Sequence, residues 1–189
     1  MRDGSVTRKK INQAALELFA RKGVAETTTR DIAGGASIAE GTIYRHYKSK
    51  DELVQSLFLS LYREQGDLLA ARIRNETGIK EQIAVMINLF CHLFDENRPL
   101  FTFLLLTQHG QLESVSDEMV TPVSVLREAI SRAQAAGQIR QADPDLLAAM
   151  VLGVVVQPAV FSVYGRLKQS YQDFNAELVQ AAWGVLGLT

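Results

Sequence analysis

Thr28, Thr29 and Arg30, followed by Glu40, Thr42, Tyr44, Arg45, His46, Lys48 and Lys50, crowd much of the polar chemistry of this 189-residue chain into 23 positions. Hydroxyls, a phenol, an imidazole and cations donate to phosphate oxygens and reach base edges. Bond-making chemistry has no footing in the chain. It holds no nucleophile elbow, no phosphate-cradling glycine loop, no metal-spaced cluster and no isolated carboxylate pair to act as acid and base. An enzyme is not expected, nor a cofactor.

Such side chains need short, rigid elements beneath them. Thr28 caps a helix whose third residue is Asp31, a capping-box-like pair, and Ile32, Ala33 and Ala36 give that helix a small apolar face. Ile38, Ile43 and Tyr47 form the inward side of a second short helix, which turns Glu40, Thr42, Tyr44, Arg45 and His46 outward. Ser49 caps a long helix, with Glu52 at its third position and Lys50 exposed at its start. Two short helices with a tight connection, the second exposed and the first bracing it, suit a DNA major groove. Charge agrees. Residues 1–50 hold 10 Lys/Arg against 5 Asp/Glu, whereas residues 51–189 hold 10 against 16, so the basic excess is confined to this segment of a chain of net charge −1.

The remaining pattern is helical throughout. Ile11, Ala14, Ala15, Leu18 and Phe19 set one face of a helix over 8–22, capped by Thr7 and closed by Gly23. The long helix runs from Lys50 to about Arg74 and bridges the basic and acidic parts. Helices follow over 78–95, from Arg98 with Pro99 in its first turn, from near Asp117 to Ala136, from Pro144 behind the cap Asp143, and from Ser170 to near Gly187. The QHGQLES stretch reads as a loop. No segment alternates as strands do, so the fold is all-α, with about nine helices. An N-terminal three-helix bundle with the helix-turn-helix occupies residues 1–50, with 50–74 as a linking helix and 75–189 as a second helical domain. Leu146–Gly165 has no charged residue and is long enough to cross a bilayer. Gln157 and Pro158 near its centre favour instead a helix buried on nearly all sides, against its own domain and a twin subunit, kinked at Pro158. Cys91 is the only cysteine, and the basic first 20 residues are not a secretory signal. Both point to a cytoplasmic protein without a membrane span.

Residues 7–58 resemble the DNA-binding domain of the TetR family of transcriptional regulators. The shared residues are I-x-x-A-A-L-E-L-F-A-x-K-G (11–23), T-T-x-R-D-I-A (27–33) and G-T-I-Y-R-H-Y-K-S-K-D-E-L (41–53). The resemblance implies a homodimeric repressor with two such heads on an inverted-repeat operator, released by a small hydrophobic or amphipathic ligand held in the C-terminal domain. It places Glu40, Gly41, Thr42 and His46 toward the groove, Tyr44 on phosphate or a thymine methyl, and Lys50 on phosphate. Thr28 and Thr29 sit at a helix N-terminus suited to phosphate, and Arg30 reaches phosphate or guanine. Glu40 is either an acceptor for a cytosine amino group or a solvated carboxylate that repels phosphate. Arg45 and Lys48 are contacts or plain surface charges, and Tyr47 is core.

Two departures stand in the tight turn. Ser37 replaces a glycine that often takes positive φ, and Ala39 replaces a capping serine. With Gly34 and Gly35 in the helix before it, that helix is expected to fray in the free protein, and slow amide exchange across residues 30–36 would contradict this.

For the second domain the expected ligand-lining set is Met86, Phe90, Phe103, His109, Met150, Gln157, Phe161 and Trp183, each with the plainer reading of core or surface. His92 and His109 are too sparse for a metal site. Helices 144–165 and 171–187 are the expected dimer contact. Ligand binding would shift helices 50–74 and 98–106 and so change the spacing of the heads. The alternative is a regulator without a ligand, acting through protein contacts.

Overall fold

The computed structural model describes residues 3–188. Among them are nine α-helices and no strand: α1 (Asp3–Lys22), α2 (Thr29–Gly35), α3 (Glu40–Ile43), α4 (Lys50–Ile73), α5 (Ile79–Glu96), α6 (Arg98–Thr107), α7 (Pro122–Ala135), α8 (Pro144–Val163) and α9 (Asn175–Leu186). Several boundaries differ from the sequence reading. α1 begins upstream of Thr7, which lies inside the helix rather than capping it. α7 begins at Pro122 rather than near Asp117, because Thr121 and Ser124 form a reciprocal cap and a proline is tolerated at the first position. The expected loop at 108–114 forms two 3-10 turns, and Ser170 starts a third, Tyr171–Phe174, that leads into α9.

The chain forms two compact units. One contains the chain up to Leu61 together with Pro99–Asp117, the other Tyr62–Arg98 together with the chain from Glu118 onward. α6 therefore belongs with the head, whereas a linear cut at residue 75 assigns it to the second domain.

In the head, Ile11, Ala15 and Phe19 of α1 are buried with Ile32 of α2, Ile43, Tyr47, and Leu53 and Phe58 of α4. Phe103 of α6 stacks on Phe19 with centroids 5.6 Å apart and meets Phe58 edge-on. Each such ring withdrawn from water contributes about 1.5–3 kcal/mol. Tyr47 ties the bundle at its polar end: its hydroxyl donates to Asn12 at 2.6 Å and accepts from the Arg8 guanidinium at 3.0 Å. Arg8 also reaches Ser56 of α4.

In the second unit Ile83 and Phe94 of α5, Ile130 of α7, Leu147 and Val155 of α8 and Ala182 of α9 are buried, and the wholly buried Tyr171 packs against Phe90, Phe94 and Phe174. The Tyr171 hydroxyl donates to the Val155 carbonyl, three residues before Pro158, and α8 continues through that proline. Gly66 of α4 lies under the backbone of Val120 and Thr121, where a Cβ would stand 2.5 Å from a carbonyl oxygen. No larger residue fits there.

α8 is not buried on all sides within one chain. Leu147, Ala148, Val151, Val155, Ala159 and Ser162 face inward, but Leu146, Met150, Phe161 and Tyr164 are exposed, as are Gly153 and Gln157 between them. These outward residues recur every three or four positions and so form one stripe along the helix.

Candidate nucleic-acid interface

The α2 start is built as a capping box. The Thr28 hydroxyl accepts from the Asp31 N–H at 3.1 Å, and the Asp31 carboxylate accepts from the Thr28 N–H at 3.0 Å. The Thr28 N–H, then the Thr28 hydroxyl beside it, with Lys22 at 3.5 Å, hold the Asp31 carboxyl below the ordinary carboxylate range. Thr28 thus commits its N–H and one hydroxyl lone pair to the cap.

The turn between α2 and α3 carries both expected departures in physical form. Ser37 has φ +55°, the sole positive φ among the described non-glycine residues, and Ala39 caps α3 with no side-chain hydrogen bond. α3 itself is a single turn, Glu40–Ile43, shorter than the helix expected up to Tyr47. Arg45 and His46 lie in the turns that follow, where the Tyr47 N–H still donates to the Ile43 carbonyl at 2.9 Å. Ile43 and Tyr47 face the core as expected, and Ile38 is half-buried.

Thr29, Arg30, Glu40 and Tyr44 meet across this turn. The Thr29 hydroxyl lies 2.7 Å from Glu40 Oε1 and 3.4 Å from the Tyr44 hydroxyl, and Arg30 Nε stands 3.9 Å from Glu40 Oε2. Glu40 is therefore neither free nor fully solvated. Arg30 stays 89% exposed and Tyr44 53%, and Gly41, Arg45 and Lys48 are exposed. Thr42 and His46 are half-buried.

Lys50 corrects the sequence reading. It was expected exposed at the start of α4. Its ammonium is instead spent on the carbonyls of Val24 (2.9 Å), Thr27 (3.0 Å) and Ala25 (3.4 Å), which matches its three donors. It fixes the connection between α1 and α2. Arg8 and Lys22 are likewise held internally, roles that charge counting does not reveal. Ser49 caps α4 as expected, accepting from the Glu52 N–H at 3.1 Å. Together Ala25, Thr28, Thr29, Tyr44, Lys48 and Ser49 line a hollow of about 400 Å³.

The eight expected ligand-lining residues fall in both units. Phe103 is core of the head, and His109 sits exposed in a 3-10 turn of that unit. Met150, Gln157 and Phe161 lie on the outward stripe of α8. Met86 is buried in the second unit, and the half-buried Phe90 packs against Phe94 and Tyr171. Trp183 lines a groove of about 700 Å³ shared with Arg72, Val85, Asn88, Leu89 and Val179, and Phe103 lines a separate cleft of about 410 Å³ in the head. The Trp183 indole N–H donates to the Lys80 carbonyl, and the Lys80 ammonium lies 4.4 Å above the indole ring. Cys91 is buried, and desolvation first, then the nearby Asp95 charge, pushes its thiol up to about 12.

Comparison with known proteins places this geometry. A family model for bacterial regulatory proteins of the tetR family matches residues 11–57. The HTH-type transcriptional regulator TtgR of Pseudomonas putida is 40% identical over 90 residues, 48% of this chain and 42% of that protein, so the match spans about two fifths of its relative. Two solved structures share the whole-chain fold. The fatty acid degradation regulator FadR of Bacillus halodurans has a TM-score of 0.82 at 19% identity, over 97% of each chain. Bacillus subtilis FadR in complex with stearoyl-CoA has a TM-score of 0.78 at 20% identity, over 96% of this chain and 99% of that one. The solved structures share the all-helical fold, and residues 11–57, which carry α2 and α3, match the tetR family of bacterial regulatory proteins.

Proposed function

We propose that the protein is a sequence-specific transcriptional repressor that binds an inverted-repeat operator as a homodimer and leaves it when a small amphipathic ligand binds the second unit. The observation that carries the DNA reading is the surface around the α2 start. Thr28, Thr29, Tyr44 and Lys48 line a hollow of a size to admit a phosphate group, beside the exposed edge of α3. In this reading Thr28, Thr29, Tyr44 and Lys48 hold the backbone, while Gly41, Thr42 and His46, with Arg30 and Arg45 flanking, approach base edges.

The dimer reading rests on the bare stripe of α8. Gly153 on α8 and Gly184 on α9 are exposed, with open space where a Cβ would stand. A helix interior disfavours glycine by roughly 1 kcal/mol relative to alanine, and close approach of a second backbone offsets that cost.

The groove lined by Trp183 sets Val85, Leu89 and Val179 beside Arg72, Glu76 and Gln180, a mixed lining that suits an amphipathic molecule. The likeness to a regulator solved with stearoyl-CoA supports an amphipathic ligand class. Release would follow from a ligand that prefers a head spacing the operator does not accept.

Selection from randomised duplex DNA at a stated near-physiological salt tests the first claim. One inverted-repeat motif is expected, and a folded, dimeric protein that recovers none overturns it. The sole tryptophan then reports on the ligand. Amphipathic compounds that shift Trp183 emission should also raise the melting temperature and weaken operator binding. A broad library that leaves both unchanged favours the regulator acting through protein contacts alone.

A further inference from the structure

The turn that joins α2 to α3 is strained and uncapped, yet two charged and two hydroxyl side chains close over it. Ser37 holds a backbone conformation that costs an L-residue roughly 1–2 kcal/mol. Ala39 withholds the hydrogen bond that a serine or threonine would give to the first turn of α3. Backbone bonds from the Ser37 N–H to the Gly34 carbonyl (3.1 Å) and from the Ile38 N–H to the Ala33 carbonyl (3.0 Å) hold the turn as far as Ile38, but no side-chain cap holds the one-turn helix that follows. Across the same turn, Glu40 accepts from Thr29 at 2.7 Å and faces Arg30 at 3.9 Å, and Tyr44 lies 3.4 Å from the Thr29 hydroxyl. These contacts link the first residue of α3 to the first two residues of α2.

We infer that Glu40 is a positioning residue for DNA recognition: its carboxylate locks α3 against the start of α2, supplying the hold that the missing side-chain cap leaves out, and it reads no base itself. The inference rests on the DNA-binding reading above. A hydrogen bond to a carboxylate is among the stronger ones available at a surface, and the exposed Arg30 guanidinium, 3.9 Å from the second oxygen, adds only a loose ion pair. The Thr29 hydroxyl hydrogen is spent on Glu40, so Thr29 is left to donate to phosphate through its backbone N–H at the start of α2. A base-reading glutamate at this place would accept from a cytosine amino group and affect one base pair of each half-site. A positioning glutamate acts on every base that α3 and its following turn touch.

The experiment is selection from randomised DNA with the full-length wild-type protein, E40A, E40Q and the triple variant S37G/A39S/E40A, with affinity for the wild-type motif measured alongside. E40A should lose about tenfold or more in affinity and relax several adjacent positions of each half-site together. E40Q keeps an acceptor for Thr29 and should retain the wild-type motif, with tighter non-specific binding because a negative charge near phosphate is gone. Restoring the glycine and the cap should return the motif to the triple variant. Relaxation at one base pair alone, or an unchanged motif in E40A, overturns the inference. Failure of the wild-type protein itself to select a motif is a separate result that overturns the DNA-binding reading instead.

Discussion

Lysines at positions 48 and 50 are two residues apart and do different work. Lys48 is exposed on the rim of the hollow, whereas the Lys50 ammonium is bound to three carbonyls of its own head. Lys48→Ala is expected to weaken binding across all sequences and to reduce the slope of log affinity against log salt by about 1 per subunit. Lys50→Met should leave that slope unchanged and destabilise the head by about 1.5–3 kcal/mol, because three carbonyls lose a charged donor. Salt titrations of operator binding and urea melts separate the two. A reduced slope in Lys50→Met would return that side chain to the phosphate backbone. At this scale the sequence was legible wherever the determining partner lay within a few residues. Thr28 with Asp31, Ser49 with Glu52, and the positive φ at Ser37 are all local chemistry. Lys50 and Arg8 were illegible because their partners lie 23 to 48 positions away.

Helix boundaries follow the same division. Caps written into neighbouring residues were readable at α2, α4 and α8, where Asp143 accepts from the N–H groups of Asp145 and Leu146. The start of the last helical segment was not, since its cap arrives from another helix. Asp95 of α5 accepts from the Ser170 hydroxyl and from the N–H groups of Tyr171 and Gln172. Burial alone would push that carboxyl up. The Ser170 hydroxyl, the two N–H groups and the charge of Arg98 outweigh it and hold the carboxyl below its ordinary value of 3.8. A carboxyl lowered on folding contributes stability that is fully present above its unfolded value and lost as pH falls through the folded one. Thermal stability should therefore decline below about pH 4, and Asp95→Ala should flatten that decline while costing about 1–2 kcal/mol at neutral pH. An Asp95→Ala protein as stable as the parent at pH 7 would show the cap to be ornamental. The ligand-lining set scatters over both units for a related reason. Aromatic and methionine residues at helical spacing mark an apolar face, and periodicity does not say whether that face meets a core, a cavity or another chain.

Viewed as a whole, the chain separates its charge and leaves its most apolar helix half covered. The basic excess lies in the first 50 residues, and α8 presents Leu146, Met150, Phe161 and Tyr164 to the outside. A stripe of this kind on one subunit calls for a partner, and pairing of two α8–α9 surfaces is the arrangement proposed above. Phe161→Glu is expected to shift the protein from dimer to monomer in analytical ultracentrifugation and to abolish operator binding, while the far-ultraviolet dichroism stays helical. A Phe161→Glu protein that remains a dimer moves the contact elsewhere. The bare stripe also bears on how much protein a cell must make. When two subunits must meet before either head has a partner on the operator, occupancy in the dilute regime rises with the square of subunit concentration. Halving synthesis then lowers it about fourfold. Unpaired chains meanwhile display uncharged helix surface that invites chaperones and proteases, so scarcity is sharpened further. Control of the target genes would thus respond steeply to dosage of the regulator, even at a constant level of ligand.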